Sequence, residues 1–256
     1  MVFKRLFGKS GTTAEVETEL APGPVQPGGL LKGEVCVRAV EGVFKVDYLG
    51  LDLGVQADQY QGGHQHRSLG RVYPGFGRVT LQSGEERRKT FEERLKWETP
   101  LTEISGQTVG VVLGVHTELE EEGGEREQRD YDLVHVAALP LHEVVFNALA
   151  GAGYSWEFSQ VKEERVPNTE SHLYCHQVFA LKDQLSTADR PESLELAFVT
   201  NAVGCEIHLR PGAPDQFYWR DKPPARRYLA AHHDVGKVDF AFEARRWVEE
   251  ATQSAH

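Results

Sequence analysis

Two histidines are the first residues whose types and spacing could do chemistry. His64 and His66 stand two apart in the run GGHQHR. Alternate positions of an extended segment point to the same side, so both imidazoles could reach one metal ion. A metal-dependent enzyme would add a distant carboxylate to them. The spacing offers no third ligand, and two imidazoles alone make a weak zinc site, so exposed loop histidines are the plainer reading. His172 and His176 are four apart, but their segment alternates as a strand does, and helical ligand spacing does not apply. His232 and His233 would point opposite ways in an extended chain. Gly8-Lys9-Ser10 ends like a phosphate-binding loop, yet the glycine needed five residues before Gly8 is Phe3. Ser155 stands between Tyr154 and Trp156, with no nucleophile elbow around it. Cys36, Cys175 and Cys205 fall inside strand patterns, where a small buried hydrophobe is the default. No catalytic, cofactor-binding or metal residue is assigned, no cofactor is expected, and the chain reads as non-enzymatic.

Charge narrows the partners. Arg220, Lys222, Arg226 and Arg227 lie among Tyr218, Trp219 and Tyr228, a mixture that can bind nucleic acid. The formal net charge of −11 opposes the electrostatics such binding relies on, which leaves a protein-docking face or a solvated loop. Nothing approaches a membrane-spanning run of apolar residues. Met1–Lys9 could form one amphipathic turn at a membrane surface, making a peripheral adaptor another alternative. Three separated cysteines suit a reducing compartment, and the expected location is the cytoplasm. The expected partners are proteins, with no nucleic acid and no integral membrane association.

The elements that would carry these residues are mostly strands. Ala14–Leu20 alternates apolar or neutral residues with Glu15, Glu17 and Glu19, the pattern of a strand with one wet face. A proline- and glycine-rich turn leads to a second strand over Leu31–Arg38. In the next, Phe44, Val46 and Tyr48 hold one phase and Leu49, Leu51, Leu53 and Val55 the opposite one, which predicts a β-bulge near Tyr48–Gly50. Ala57–Gly77 reads as a surface loop or irregular hairpin. Strands follow over Phe91–Trp97 and Val109–Leu119, and acidic Glu118–Asp130 reads as a solvated loop. Another strand spans Tyr131–Val136.

After Pro140, Leu141, Val144, Val145, Ala148 and Leu149 mark one buried face of a helix that Gly151 and Gly153 stop. Tyr154, Trp156 and Phe158 resume strand alternation, followed by Leu173–Leu181, Leu194–Val199 and Cys205–Arg210. Phe240, Ala244, Trp247, Val248 and Ala251 predict a C-terminal helix from about Asp239 to Thr252. Many short strands with few helices indicate a mainly β, sandwich-type fold. At 256 residues, one large or two small domains are both allowed. The central helix reads as a connector at 139–153, between β-sandwich domains at 1–138 and 154–238, with a helix and tail at 239–256.

The opening VETELAPGPVQPGGLLKGEVCV, the strand VDYLGLDLGVQ and the run QRDYDLVHVAALPLHEVVFNALAGAGYSWEF together resemble the bacterial sporulation-control family, stage zero protein M, of the arrestin-like group. The Pro27-Gly28 turn followed by Gly33 and alternating valines matches its hairpin. The resemblance covers roughly the first 160 residues. It implies two arrestin-like (immunoglobulin-like) β-sandwich domains, no catalytic residues, and a scaffold or regulator of sporulation or cell-cycle control that works through protein binding.

Overall fold

The computed structural model describes the chain apart from residues 1–3, 8–12, 59–62, 125, 186–189, 213–221, 223 and 254–256, with the backbone alone over 4–7, 126–130 and 253. A four-stranded sheet runs in the order β1 (Lys4–Phe7), β2 (Thr13–Leu20), β3 (Leu30–Glu41) and β7 (Glu86–Arg94). It faces β4 (Phe44–Asp58), to which β5 (His64–Val72), β6 (Val79–Leu81) and β10 (Leu113–Glu121) pair. Strand β11 (Arg126–Leu133) lies beyond β10. A two-stranded hairpin, β8 (Glu103–Ile104) and β9 (Gln107–Thr108), stands apart. Val16, Val35 and Val37 of the first sheet share a core with Phe44, Leu49 and Leu119 of the second. The Thr18 and Thr117 hydroxyls hydrogen-bond across the layers at 2.6 Å.

The second half extends the same sheet. Strands β12 (Tyr154–Lys162), β13 (His176–Asp183), β14 (Ser193–Thr200), β15 (Gly204–Pro211) and β16 (Arg226–Ala231) form one antiparallel ladder. It joins β4 through the parallel pair Lys162 and Asp58. Helices α1 (Pro140–Gly151) and α2 (Phe240–Gln253) pack against each other and against this ladder. Among the described residues, β12 to β16 form this ladder and the two helices make a layer on one of its faces. Phe146 of α1 meets Phe179 edge-on at 4.9 Å, and Trp247 of α2 stacks on Tyr228 at 5.1 Å.

Most expected elements are present, with several exceptions. Acidic 118–130 is not a loop: β10 runs on to Glu121 and β11 begins at Arg126. Ala57–Gly77 contains β5, so its hairpin alternative holds. The strand expected at Phe91–Trp97 ends at Arg94, and the one expected from Leu173 starts at His176. Lys4–Phe7 is a strand paired to β2, not an amphipathic turn, and the rest of Met1–Lys9 lies outside the described residues. The bulge is real but slightly earlier: Glu120 pairs Tyr48 and Glu121 pairs Val46, leaving Asp47 over. That extra residue moves Leu49, Leu51, Leu53 and Val55 onto the buried face.

Candidate functional site

The bulge decides which β4 residues face outward. With Leu49, Leu51, Leu53 and Val55 turned inward, Gly50, Asp52 and Gly54 lie on the opposite face, next to Gly114, His116 and Glu118 of β10. Asp52 is nevertheless only 4% exposed, because β5 lays its side chains over it. The Ser68 hydroxyl donates to Asp52 Oδ1, and His66 Nε2 stands 2.9 Å from Asp52 Oδ2. His66 meets His116 edge-on at 4.4 Å, and His116 meets Tyr131 at 4.4 Å. Farther along, Arg71 lies 3.6 Å from Glu118 and the Tyr48 hydroxyl donates to it at 3.5 Å.

Glycines make this layer possible. A Cβ on Gly54 would stand 1.8 Å from His66 Cε1, and one on Gly114 would stand 2.6 Å from the Tyr131 ring. Rings can therefore lie flat on the sheet only where side chains are missing. Burial and the neighbouring His66 hold the His116 imidazole below its ordinary pKa.

The chemistry open to this cluster is limited by who bonds to whom. Asp52 orients His66 as a carboxylate orients a general base. The Ser68 hydroxyl, however, is given to the carboxylate and not to the imidazole, so nucleophile and base are not paired. His64 is engaged elsewhere, 2.7 Å from Asp58. The two histidines thus serve separate carboxylates. Among the described residues, no group of three or more His, Cys, Asp or Glu is arranged to hold a metal ion.

The other flagged residues are scattered. His172 is exposed and His176 buried, its Nδ1 donating to the Glu164 carbonyl at 2.9 Å. His232 and His233 occupy a 3-10 turn, His232–Asp234, and not an extended segment. His232 packs against Trp97 at 5.7 Å. The three cysteines are buried, and desolvation pushes the Cys175 and Cys205 thiols up to about 12, far from reactivity. Of the basic cluster, Tyr218, Trp219 and Arg220, like Gly8-Lys9-Ser10, lie outside the described residues. Lys222 binds Glu195, and Arg226 and Arg227 open β16. His142 is 2% exposed and bonded to Thr200, a buried group with no flag in the sequence. Its place after Pro140 in the first turn of the helix is the one signal that could have found it.

A groove of about 670 Å³ lies between the turn from Leu20 to Lys32 and the end of β11. Val25 holds its floor, donating to the His135 carbonyl and accepting from the Ala137 N–H, each at 2.9 Å. Gln26 fastens the turn further, its side-chain amide donating to the Ala138 carbonyl at 3.0 Å. Leu30 and Leu133 line the groove and are 41% and 58% exposed. The feature combines a fixed backbone with exposed aliphatic side chains, which suits a protein segment.

A family model described as SpoOM protein matches residues 3–211. The crystal structure of Spo0M, a sporulation control protein from Bacillus subtilis, superposes with a TM-score of 0.76 at 22% identity, covering 95% of this chain and 99% of that one. A beta-glucosidase from Listeria innocua aligns over 51% of this chain and 17% of its own, at 20% identity and a TM-score of 0.31. A putative ApaA protein from Bordetella pertussis aligns over 49% and 93%, at 14% identity and 0.28. These last two carry no argument. A comparison with curated protein sequences finds no match.

Proposed function

Because the chain belongs to the SpoOM protein family, we propose that it is a regulator that acts by binding other proteins and performs no reaction of its own. The same proposal covers its place in the cytoplasm, a role in sporulation or cell-cycle control, and an arrestin-like division into units at 1–138 and 154–238 around the helix at 139–153. The observation that carries it is the groove beside β11. Its floor is pinned by backbone hydrogen bonds, while Leu30 and Leu133 stand exposed at its sides. Exposed aliphatic side chains on a fixed frame lose little order when an apolar partner covers them.

The test places a photo-crosslinking residue at Leu30, at Leu133 and, as a control, at Phe242, which is exposed on α2. Expression in the native host and mass spectrometry should recover a protein adduct from the two groove positions and not from the control. Identical adducts at all three positions, or none in the groove, would overturn the reading. Stoichiometric zinc on the purified protein, lost in His66→Ala, would establish the metal-enzyme alternative instead.

A further inference from the structure

Strand β16 ends the ten-stranded sheet, and β15 is its ladder neighbour. The register shows which of its backbone groups face outward. The His232 N–H donates to the Val203 carbonyl at 2.9 Å, so that pair bonds across the ladder. Alternation in an antiparallel pair then turns Ala230, Tyr228 and Arg226 toward β15, and Ala231, Leu229 and Arg227 away from it. The Ala231 N–H confirms the phase, because the Asp234 carboxylate accepts it at 2.8 Å from outside the ladder. Asp234 thereby closes one end of the edge. The N–H and C=O groups of Leu229 and Arg227 remain directed to the open side.

The side chains beside those groups are unusual for this protein. Leu229 and Val203 are 70% and 71% exposed and line a shallow recess of about 330 Å³. Arg227 lies on the same face, with its side chain 52% exposed while it bonds to Glu206. Arg226 beside it is exposed as well. The chain carries a net −11, yet this edge presents adjacent arginines. At physiological salt, charges more than roughly 8 Å away are largely screened, so a docking segment meets the groups beside the outward amides, Arg227 with its Glu206 partner among them.

We propose that β16 is a docking edge for an extended protein segment that adds as an antiparallel strand. The segment would read apolar, any residue, acidic, in chain order. Its apolar side chain would sit opposite Leu229 and over the recess, and its carboxylate opposite Arg227. Four backbone hydrogen bonds, two at each of Leu229 and Arg227, set the register. A second copy of this chain fits less well, since it would lay the same arginines along the same seam, and like charges across a strand pair oppose pairing. The edge is separate from the groove beside β11, so either surface can fail its test without the other.

The test titrates full-length protein with a labelled, end-blocked peptide that carries valine, threonine and glutamate in that order within a threonine-rich strand, and with a counterpart in which lysine replaces the glutamate. Fluorescence anisotropy should show the glutamate peptide binding about tenfold tighter, the size of one good charge-assisted contact. Arg227→Gln should bring the two peptides toward parity. Leu229→Pro removes one outward N–H and none that β15 uses, and should weaken the glutamate peptide about tenfold at an unchanged melting temperature. Should that variant melt lower, a peptide N-methylated at the amides facing the edge tests the same bond with wild-type protein. Amide exchange at Leu229 and Arg227 should slow in the complex. Equal binding of both peptides, indifference to the lost hydrogen bond, or dimerisation through this edge in sedimentation would each overturn the proposal.

Discussion

Replacing His142 by glutamine should remove a defined part of the protein's sensitivity to acid. His142 is the third residue of α1 and is 2% exposed. Its Nδ1 accepts the Leu139 N–H at 3.4 Å, reaching back to the start of the helix as a capping glutamine would. That leaves Nε2 to carry the proton and donate to the Thr200 hydroxyl at 2.9 Å. Protonating Nδ1 would set donor against donor at the positive end of a helix. Burial, with a smaller contribution from His232, therefore lowers its pKa to about 3, and burial lowers that of His176 to about 4.

The unfolded chain protonates both histidines near pH 6.5. Below that value it takes up protons that the folded chain refuses, so the stability present at neutral pH is lost as pH falls. The loss is about 1.4 kcal/mol per pH unit for each histidine, and it stops once the folded pKa is reached. Between pH 7 and pH 5 this amounts to about 2 kcal/mol per histidine. His116 and His208, lowered by burial as well, act in the same sense. Glutamine can accept from Leu139 and donate to Thr200 without titrating, although it gives up the ring contact with Phe198 at 4.6 Å. Urea denaturation at the two pH values should thus show His142→Gln weaker at pH 7 but losing about 2 kcal/mol less than wild type on acidification. An identical pH dependence in the variant, or a His142 imidazole titrating near 6.5 by NMR, would refute the reasoning.

Two further substitutions probe the packing. Val145 on α1 is 0% exposed, so Val145→Asp buries a carboxylate and should cost several kcal/mol, comparable to a domain's whole margin; an unchanged melting temperature would show that this face of the helix is not packed. Thr18→Val takes the partner from the buried Thr117 hydroxyl and should cost about 1–3 kcal/mol. The double change Thr18→Val with Thr117→Val should recover most of that, and a double variant less stable than either single one would refute the cross-layer bond.

Alternation reveals a strand only when its two faces differ in burial. That is why β2, β3 and both helices were legible, whereas β13 to β15, buried on both faces, read instead as short apolar runs bounded by turn-forming segments. Strand β16, with Arg226 and Arg227 exposed on opposite faces, carries no such contrast, nor does β7, where Phe91 is the one fully buried residue. Strand β5 hides for a related reason: His64, His66 and Ser68 cover other polar groups and not an apolar core. His66 could be flagged from its neighbour His64, but its partner could not. Asp52 reads as an ordinary outward residue of an amphipathic strand, and His116 lies a long way off in sequence. The usable signal was glycine in phase with polar residues, Gly50, Asp52 and Gly54 on one strand and Gly114 and His116 on the next, because a strand leaves out side chains where another group lies across it.

The junction between the halves bears on how such a protein could work. Default expectation allows two units to move about a connector unless the surface between them is large and apolar. Here one apolar core runs from Leu53 and Leu113 through Leu141 and Val145 to Leu196 and Trp247. Polar bonds cross it as well: the Gln177 side chain accepts the Leu101 N–H at 2.7 Å and donates to its carbonyl at 2.9 Å, and the Ser159 hydroxyl donates to the Val109 carbonyl at 2.9 Å. Breaking the junction would expose both kinds of contact together, which favours a rigid frame over a hinge. On that frame β11, whose end lines the groove, and β16, with its open edge, are the two terminal strands of one continuous sheet. Partners at the two surfaces would be held in a fixed relation without competing, and that is the property a scaffold needs from its architecture.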